Sequence, residues 1–152
     1  MTDGKLVLSW GDVAHDVALL RDKITSSCVT YDWVIGIAVG GLIPLALIAK
    51  ELQTKKVTTV SASSYNEASE RGELTIHAMP HSNLHNAHIL LVDEIADSGE
   101  TLQSIKRTLM EECGAASVTT ATLCVRTDHC AANPDFFARE VTQWVMFPWD
   151  QK

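Results

Sequence analysis

Ile89-Leu90-Leu91-Val92-Asp93-Glu94-Ile95-Ala96-Asp97-Ser98-Gly99-Glu100-Thr101 is the stretch that decides the fold. The largely apolar run at 88–92 predicts a strand buried on both faces, as in a parallel sheet covered by helices. It delivers two adjacent carboxylates, Asp93 and Glu94, to its carboxyl end, and Asp97 follows shortly after. Ser98, Gly99 and Thr101 then open a helix expected over 100–113. Small hydroxyl residues and a glycine at a helix start leave backbone N–H groups free, and the helix dipole there favours an anion. Thr101 can cap the helix or donate its hydroxyl to a phosphate oxygen. One loop thus offers acceptors for sugar hydroxyls and donors for a monophosphate, a pairing that suits a ribose 5-phosphate. Each half has a bland explanation on its own: an Asp-Glu pair is often a solvated turn, and Ser-Gly is often a simple cap. In this order, on a strand-loop-helix frame, the two halves support each other. Neither G-x-G-x-x-G nor G-x-x-x-x-G-K-[ST] occurs in the chain, so two other phosphate-binding loops are excluded.

Working outward, Val13, Val17, Leu20 and Ile24 recur at helical spacing after Ser9-Trp10-Gly11-Asp12 and predict a helix from about 12 to 26. Residues 33–39 form a short β-branched strand that stops at Gly40-Gly41. A helix follows over 42–52, with Pro44 tolerated in its first turn. Further strands are expected at 57–62, 117–125 and 144–147, the last just before Pro148-Trp149-Asp150. Residues 65–73 are polar, break every periodicity and read as an exposed, mobile loop. Alternating strands and helices imply parallel pairing with right-handed crossovers. The expected fold is therefore a single α/β domain over 1–152, an open and mostly parallel sheet flanked by helices. Such a sheet binds ligands at the carboxyl ends of its strands, which picks out 38–41, 65–73 and 93–101.

A length of 152 residues suits one domain. The formal net charge of −7 argues against wrapping a nucleic-acid backbone. An acidic chain with an anionic ligand must attract it locally, through helix N-termini, a few arginines and a bound cation. No apolar run approaches the ~20 residues of a membrane span, and the N-terminus lacks a secretion pattern, so a cytoplasmic location is expected. Cys28, Cys113, Cys124 and Cys130 include no C-x-x-C pair and read as reduced thiols, with Cys124 packed inside. His77, His81, His85 and His88 lie near helical spacing, but Pro80, Asn83 and Asn86 interrupt any helix there. They read as a solvated connection rather than a metal site. Trp10 and Trp33 read as packing residues, and Glu111-Glu112 as a solvated helix face.

The segment quoted first resembles the signature of the type I phosphoribosyltransferases. The resemblance continues through Ser9-Trp10, Ile37-Ala38-Val39-Gly40-Gly41-Leu42-Ile43-Pro44, Ser63-Ser64-Tyr65 and Trp144-Val145-Met146-Phe147-Pro148-Trp149-Asp150. These stretches are similar to bacterial xanthine-guanine phosphoribosyltransferases and to small archaeal purine enzymes. The tail in particular resembles purine enzymes rather than orotate or uracil ones. The resemblance implies a small hood built from the chain termini and an enzyme joining a 6-oxopurine to phosphoribosyl pyrophosphate. It also implies a homodimer or homotetramer acting on small molecules, not nucleic acid.

By the same resemblance, Asp93 and Glu94 hold the ribose hydroxyls of the donor, directly or through Mg2+. Asp97, Ser98, Gly99, Glu100 and Thr101 cradle the 5-phosphate, and Asp97 accepts a purine proton as general base. Val39, Gly40 and Gly41 meet the pyrophosphate, under a flexible lid at 65–73 carrying Arg71. Arg126, Trp144, Val145 and Asp150 receive the purine, with Trp144 stacking on it. The chain departs from the family at three of these positions. Val39 stands where the xanthine-guanine enzymes have an arginine, Glu94 replaces the usual second aspartate, and Arg126 replaces a lysine. The rival readings are a nucleotide-sensing module of the same fold, which Val39 keeps in view, and a receiver-type signalling domain. The mid-chain position of Asp93-Glu94 speaks against the second.

Overall fold

The computed structural model describes residues 4–65 and 71–152. In chain order its elements are β1 (Leu6–Val7), α1 (Trp10–Ser26), β2 (Trp33–Ala38), α2 (Leu42–Glu51), β3 (Val57–Tyr65) and β4 (Arg71–Ala78). They continue as β5 (His88–Ala96), α3 (Glu100–Glu111), β6 (Ser117–Arg126), β7 (Phe136–Val141), β8 (Val145–Met146) and a 3-10 turn at Pro148–Asp150. Among the described residues, six strands form one sheet in the order β4-β3-β2-β5-β6-β7. Every neighbouring pair is parallel except β3 with β4. From β2 the chain steps outward to β3, whereas from β5 it steps the other way to β6. The strand order therefore reverses between β2 and β5, the point where an open α/β sheet forms its ligand crevice.

The strands alternate their side chains between two cores, as a period of two requires. Val34, Leu90, Val92 and Leu123 pack with Val13, Val17, Leu20, Ile24, Leu45 and Ile48 of α1 and α2. Ile35, Ile37, Ile89 and Leu91 pack with Leu102, Ile105 and Leu109 of α3. Each aliphatic side chain buried this fully contributes roughly 1.5–3 kcal/mol relative to exposure. Two covered faces explain why β2 and β5 read as unbroken apolar runs.

Several boundaries differ from expectation. α1 begins at Trp10 rather than near 12 because Ser9 is its N-cap: the Asp12 N–H donates to Ser9 Oγ at 3.1 Å and the Ser9 N–H to Asp12 Oδ2 at 2.8 Å. β5 runs past Val92 to Ala96, since it stays paired with β6 as far as Ala96 opposite Val125. Asp93 and Glu94 therefore stand inside a hydrogen-bonded strand, not in the loop after it. The expected loop at 65–73 is corrected at both ends, where Tyr65 closes β3, Arg71 opens β4, and the two residues pair antiparallel. Residues 66–70 of that proposed lid lie outside the described residues. β4 and β7 were not expected, nor was β1, which pairs parallel with β8 through Leu6 opposite Val145. That two-stranded pairing of the chain ends forms the small hood. Gln151 Nε2 donates to the Leu8 carbonyl at 2.9 Å, and Trp149 lies between Phe147 and Trp10 with ring centroids 4.8 and 5.9 Å away. No helix of the described chain is long and apolar enough to cross a membrane.

Candidate active site

Two cavities open at the carboxyl ends of the strands. The first, about 330 Å3, lies at the β2/β5 reversal and is lined by Val39 and Gly40 after β2, Ser63 of β3, Asp93 and Glu94 of β5, and Asp97, Ser98, Gly99 and Thr101. The second, about 230 Å3, lies under the hood and is lined by Arg126, Gln143, Trp144, Val145, Phe147 and Asp150. Glu94, Ile95 and Asp97 line both. They form the partition between two compartments that a bond-forming reaction would have to join.

The loop from Asp97 to Thr101 is shaped by Gly99, the N-cap of α3, which takes φ +85°. That left-handed conformation is strained for residues with a Cβ. A Cβ there would also stand 2.7 Å from the Ala132 carbonyl oxygen and 3.0 Å from Cys130 Sγ. The Glu100 N–H turns back to Ser98 Oγ at 3.2 Å. Ser98, Gly99 and Thr101 line the first cavity. Glu100 points to solvent and does not line it.

The glycine pair divides its roles. A Cβ on Gly40 would run into the Glu94 carboxylate, so Gly40 is the residue that lets Glu94 reach across the cavity mouth. Gly41, expected beside it as an oxygen-binding N–H, is instead turned inward. Its N–H donates to the Ile37 carbonyl at 2.8 Å, and a Cβ on it would meet the Ile37 and Val92 carbonyl oxygens at 2.7 and 2.8 Å. Close backbone packing is enough to require a glycine at 41. Val39 is 81% exposed beside the cavity, the most accessible large apolar side chain among the described residues. Arg71 starts β4, the partner of the strand that bears Ser63.

The electrostatics of the first cavity are one-sided. Its described lining holds Asp93, Glu94 and Asp97 but no lysine, arginine or histidine. Burial pushes the Asp93 carboxyl well above the ordinary carboxylate range, and the Glu94 charge beside it adds to the shift. The Glu94 N–H, 2.9 Å from Asp93 Oδ1, pulls it partly back. Burial likewise raises Glu94, to about 7, with Asp150 contributing. Burial thus favours the protonated form of both carboxyls, and a cation in the cavity would oppose it. No three His, Cys, Asp or Glu side chains converge on a metal site among the described residues. Two carboxylates with room for ligand oxygens nevertheless fit magnesium, which commonly takes one or two carboxylates and completes its shell with water and phosphate.

In the partition, Asp97 Oδ1 is buried without a hydrogen-bond partner, 3.7 Å from Arg126 Nη1. Arg126 leaves the end of β6 and reaches Asp128 Oδ2 at 3.4 Å and the Thr142 carbonyl at 3.5 Å through Nη2. The contact with Asp97 is too long for a hydrogen bond, so both groups retain capacity for a ligand. Trp144 is 60% exposed at the mouth of the second cavity, while Val145 is buried in β8. The structure thus gathers Asp97, Arg126, Trp144, Val145 and Asp150 from four separate parts of the chain. Gln143 and Phe147 join them, and sequence reasoning missed both because neither carries a local pattern. The histidines are scattered: His77 meets Ser63 Oγ at 2.8 Å, and His88 meets Ser117 Oγ at 2.7 Å.

Comparison with known proteins agrees with this arrangement. The chain matches the phosphoribosyl transferase domain family over residues 10–152. It is 34% identical over 151 residues to a xanthine-guanine phosphoribosyltransferase of Cereibacter sphaeroides, covering 94% of this chain and 85% of that protein. A xanthine-guanine phosphoribosyltransferase of Chromohalobacter salexigens is 31% identical over 154 residues, covering 96% and 84% respectively. A solved purine phosphoribosyltransferase from Pyrococcus horikoshii shares the fold with a TM-score of 0.85 at 24% identity, covering 98% of this chain and 96% of that one. On these matches the chain belongs to the phosphoribosyl transferase domain family.

Proposed function

We propose that the protein is a purine phosphoribosyltransferase, joining a 6-oxopurine (hypoxanthine, guanine or xanthine) to phosphoribosyl pyrophosphate with release of pyrophosphate. The observation that carries this is the partition: two cavities of different character share Glu94, Ile95 and Asp97. One offers a helix N-terminus and carboxylates, which suit a sugar phosphate. The other offers Trp144, Arg126 and backbone under a hood, which suit a flat heterocycle. The relatives that cover the chain are named for xanthine and guanine.

In this reading Ser98, Gly99 and Thr101 hold the 5-phosphate, and Asp93 and Glu94 take the ribose hydroxyls. Arg126 donates to the purine 6-oxo group, and Trp144 stacks on the ring. As the anomeric carbon leaves pyrophosphate and bonds to the purine, Asp97 accepts the proton the base gives up. Asp93 and Glu94 would hold a magnesium ion, which supplies charge neutralisation for the diphosphate leaving group. A cavity whose described lining holds carboxylates and no basic side chain favours a donor that brings its own cation.

Val39 leaves the described lining of the pyrophosphate side without a guanidinium. Val39→Arg is expected to tighten pyrophosphate binding roughly tenfold, the gain typical of one charge-assisted contact. Calorimetric titration with magnesium pyrophosphate checks this, and unchanged affinity would show that another residue already fills the role. The experiment for the function itself is turnover with phosphoribosyl pyrophosphate and magnesium across hypoxanthine, guanine, xanthine and adenine. Nucleotide formed from the 6-oxopurines but not from adenine is the expected result. Donor binding without turnover of any base would overturn the reaction.

A further inference from the structure

We infer that residues 126–132, the turn leaving β6, form a bracket that fixes the phosphate-binding loop relative to the purine cavity, with Cys130 as its positioning residue. The inference rests on the proposed function and adds to it a part of the chain that no motif marks. At its near end the bracket is anchored on Arg126. The His129 and Cys130 N–H groups both donate to the Arg126 carbonyl, at 3.0 and 2.7 Å, while the Arg126 side chain faces Asp97. At its far end it is tied to the phosphate loop, where the Ala131 N–H donates to the Ser98 carbonyl at 3.1 Å. Between the ends, Cys130 Sγ donates to the Ala132 carbonyl at 3.1 Å, closing the turn on itself.

The fit at Gly99 shows how tightly this turn is seated. The space a Cβ would occupy there is filled by the Ala132 carbonyl oxygen and Cys130 Sγ, at 2.7 and 3.0 Å. Gly99 is thus doubly constrained, by its positive φ and by the bracket leaning on it. Ser98 and Gly99 line only the donor cavity, and Arg126 only the purine cavity. Nothing else in residues 126–132 lines either, so the turn acts on ligands only through the groups it holds. A shift of the bracket moves the 5-phosphate cradle against Asp97 and Arg126. Positioning errors of this size are costly when two reactants must meet in line.

The test is a kinetic comparison of Cys130→Ala, Cys130→Ser and Ala131→Pro with the parent chain. Cys130→Ala is expected to raise KM for phosphoribosyl pyrophosphate roughly two- to fivefold, the loss of a weak S–H donor. Purine KM and the thermal midpoint should hold steady. Cys130→Ser should restore the donor KM, because its hydroxyl can donate to the same carbonyl. Ala131→Pro deletes the N–H that ties Ser98 and should raise donor KM roughly three- to tenfold. An unchanged donor KM in both Cys130→Ala and Ala131→Pro, or no rescue by serine, overturns the bracket. So does a loss shared equally by donor, purine and thermal midpoint. If the parent chain shows no turnover, the proposed function fails. The dissociation constants for ribose 5-phosphate, measured by calorimetry in the same variants, then decide the bracket by the same ratios. Absence of ribose 5-phosphate binding to the parent chain overturns both.

Discussion

Replacing Asp97 with asparagine is expected to lower kcat by roughly 10²- to 10⁴-fold, the usual contribution of a positioned general base, while magnesium-dependent donor binding survives. The expectation comes from where Asp97 stands. It lines both cavities, so a purine in one and a ribose in the other would meet at its side chain. Its Oδ1 is buried and makes no hydrogen bond, and its nearest cation, Arg126 Nη1, is held off at 3.7 Å. An oxygen without a hydrogen-bond partner, on a residue that lines both cavities, is placed to meet the proton of a base bound beside it. Asparagine keeps the size of the side chain and an oxygen for Arg126 but cannot accept that proton. Steady-state kinetics gives the loss in kcat, and calorimetric titration of the donor with magnesium gives the retained binding. Turnover near that of the parent would remove Asp97 from the role of base. Loss of donor binding along with turnover would assign it to the phosphate cradle alone.

The parts of this molecule that could be read from sequence are those whose cause is local. β2 and β5 are covered by helices on both faces, so 33–38 and 89–92 are apolar without interruption. α3 declares itself because Leu102, Ile105 and Leu109 fall on one face just past a glycine. The donor loop was legible for the same reason: its acids, hydroxyls and glycine are consecutive, and their chemistry is visible without knowing what surrounds them. β4 and β7 were missed because each is an edge strand with one neighbour. On β7, Arg139 is spent on an ion pair with the buried Asp16 of α1 at 3.0 Å, a partner 123 positions away. No window of sequence contains that pairing. The two glycines after β2 look equivalent in sequence. Only the approach of Glu94 to Gly40, and of the Ile37 and Val92 carbonyls to Gly41, tells ligand wall from packing. The purine cavity gathers residues from β5, the end of β6 and the hood, so it was accessible to sequence only through the family resemblance. The turn at 126–132 acts through backbone N–H groups and one thiol, Cys130, and no motif in the sequence marks it.

The carboxylates at the β2/β5 reversal also make the ligand-free protein's stability depend on pH in an unusual direction. Glu94 is raised to about 7 by burial and by Asp150, and Asp93 is raised further in the same direction by burial and by Glu94. In the unfolded chain both return to the ordinary carboxylate range near 4. A raised folded pKa means the folded state binds the proton more tightly than the unfolded state. The resulting stability is fully present below about pH 4 and is lost as pH rises through 7. For Glu94 alone the shift corresponds to about 3 kcal/mol. Ligand-free protein should therefore melt roughly 6–12 °C lower at pH 8 than near pH 5, given the size of the domain. Asp12 is shifted the opposite way by its bonds with Ser9, and its contribution changes only as pH falls below its ordinary value, outside this window. Glu94→Gln should remove the Glu94 share of the slope, since an amide does not titrate, and leave the share that burial gives Asp93. Magnesium and phosphoribosyl pyrophosphate together should invert it, because cation binding is tightest to the deprotonated pair. Calorimetric scans at pH 5 and pH 8, with and without these ligands, measure both slopes. A ligand-free midpoint that is level or rising across that range would mean the two carboxylates are solvated as a surface pair is. The cavity would then not bury the two carboxylates in the way the reading of Asp93 and Glu94 requires.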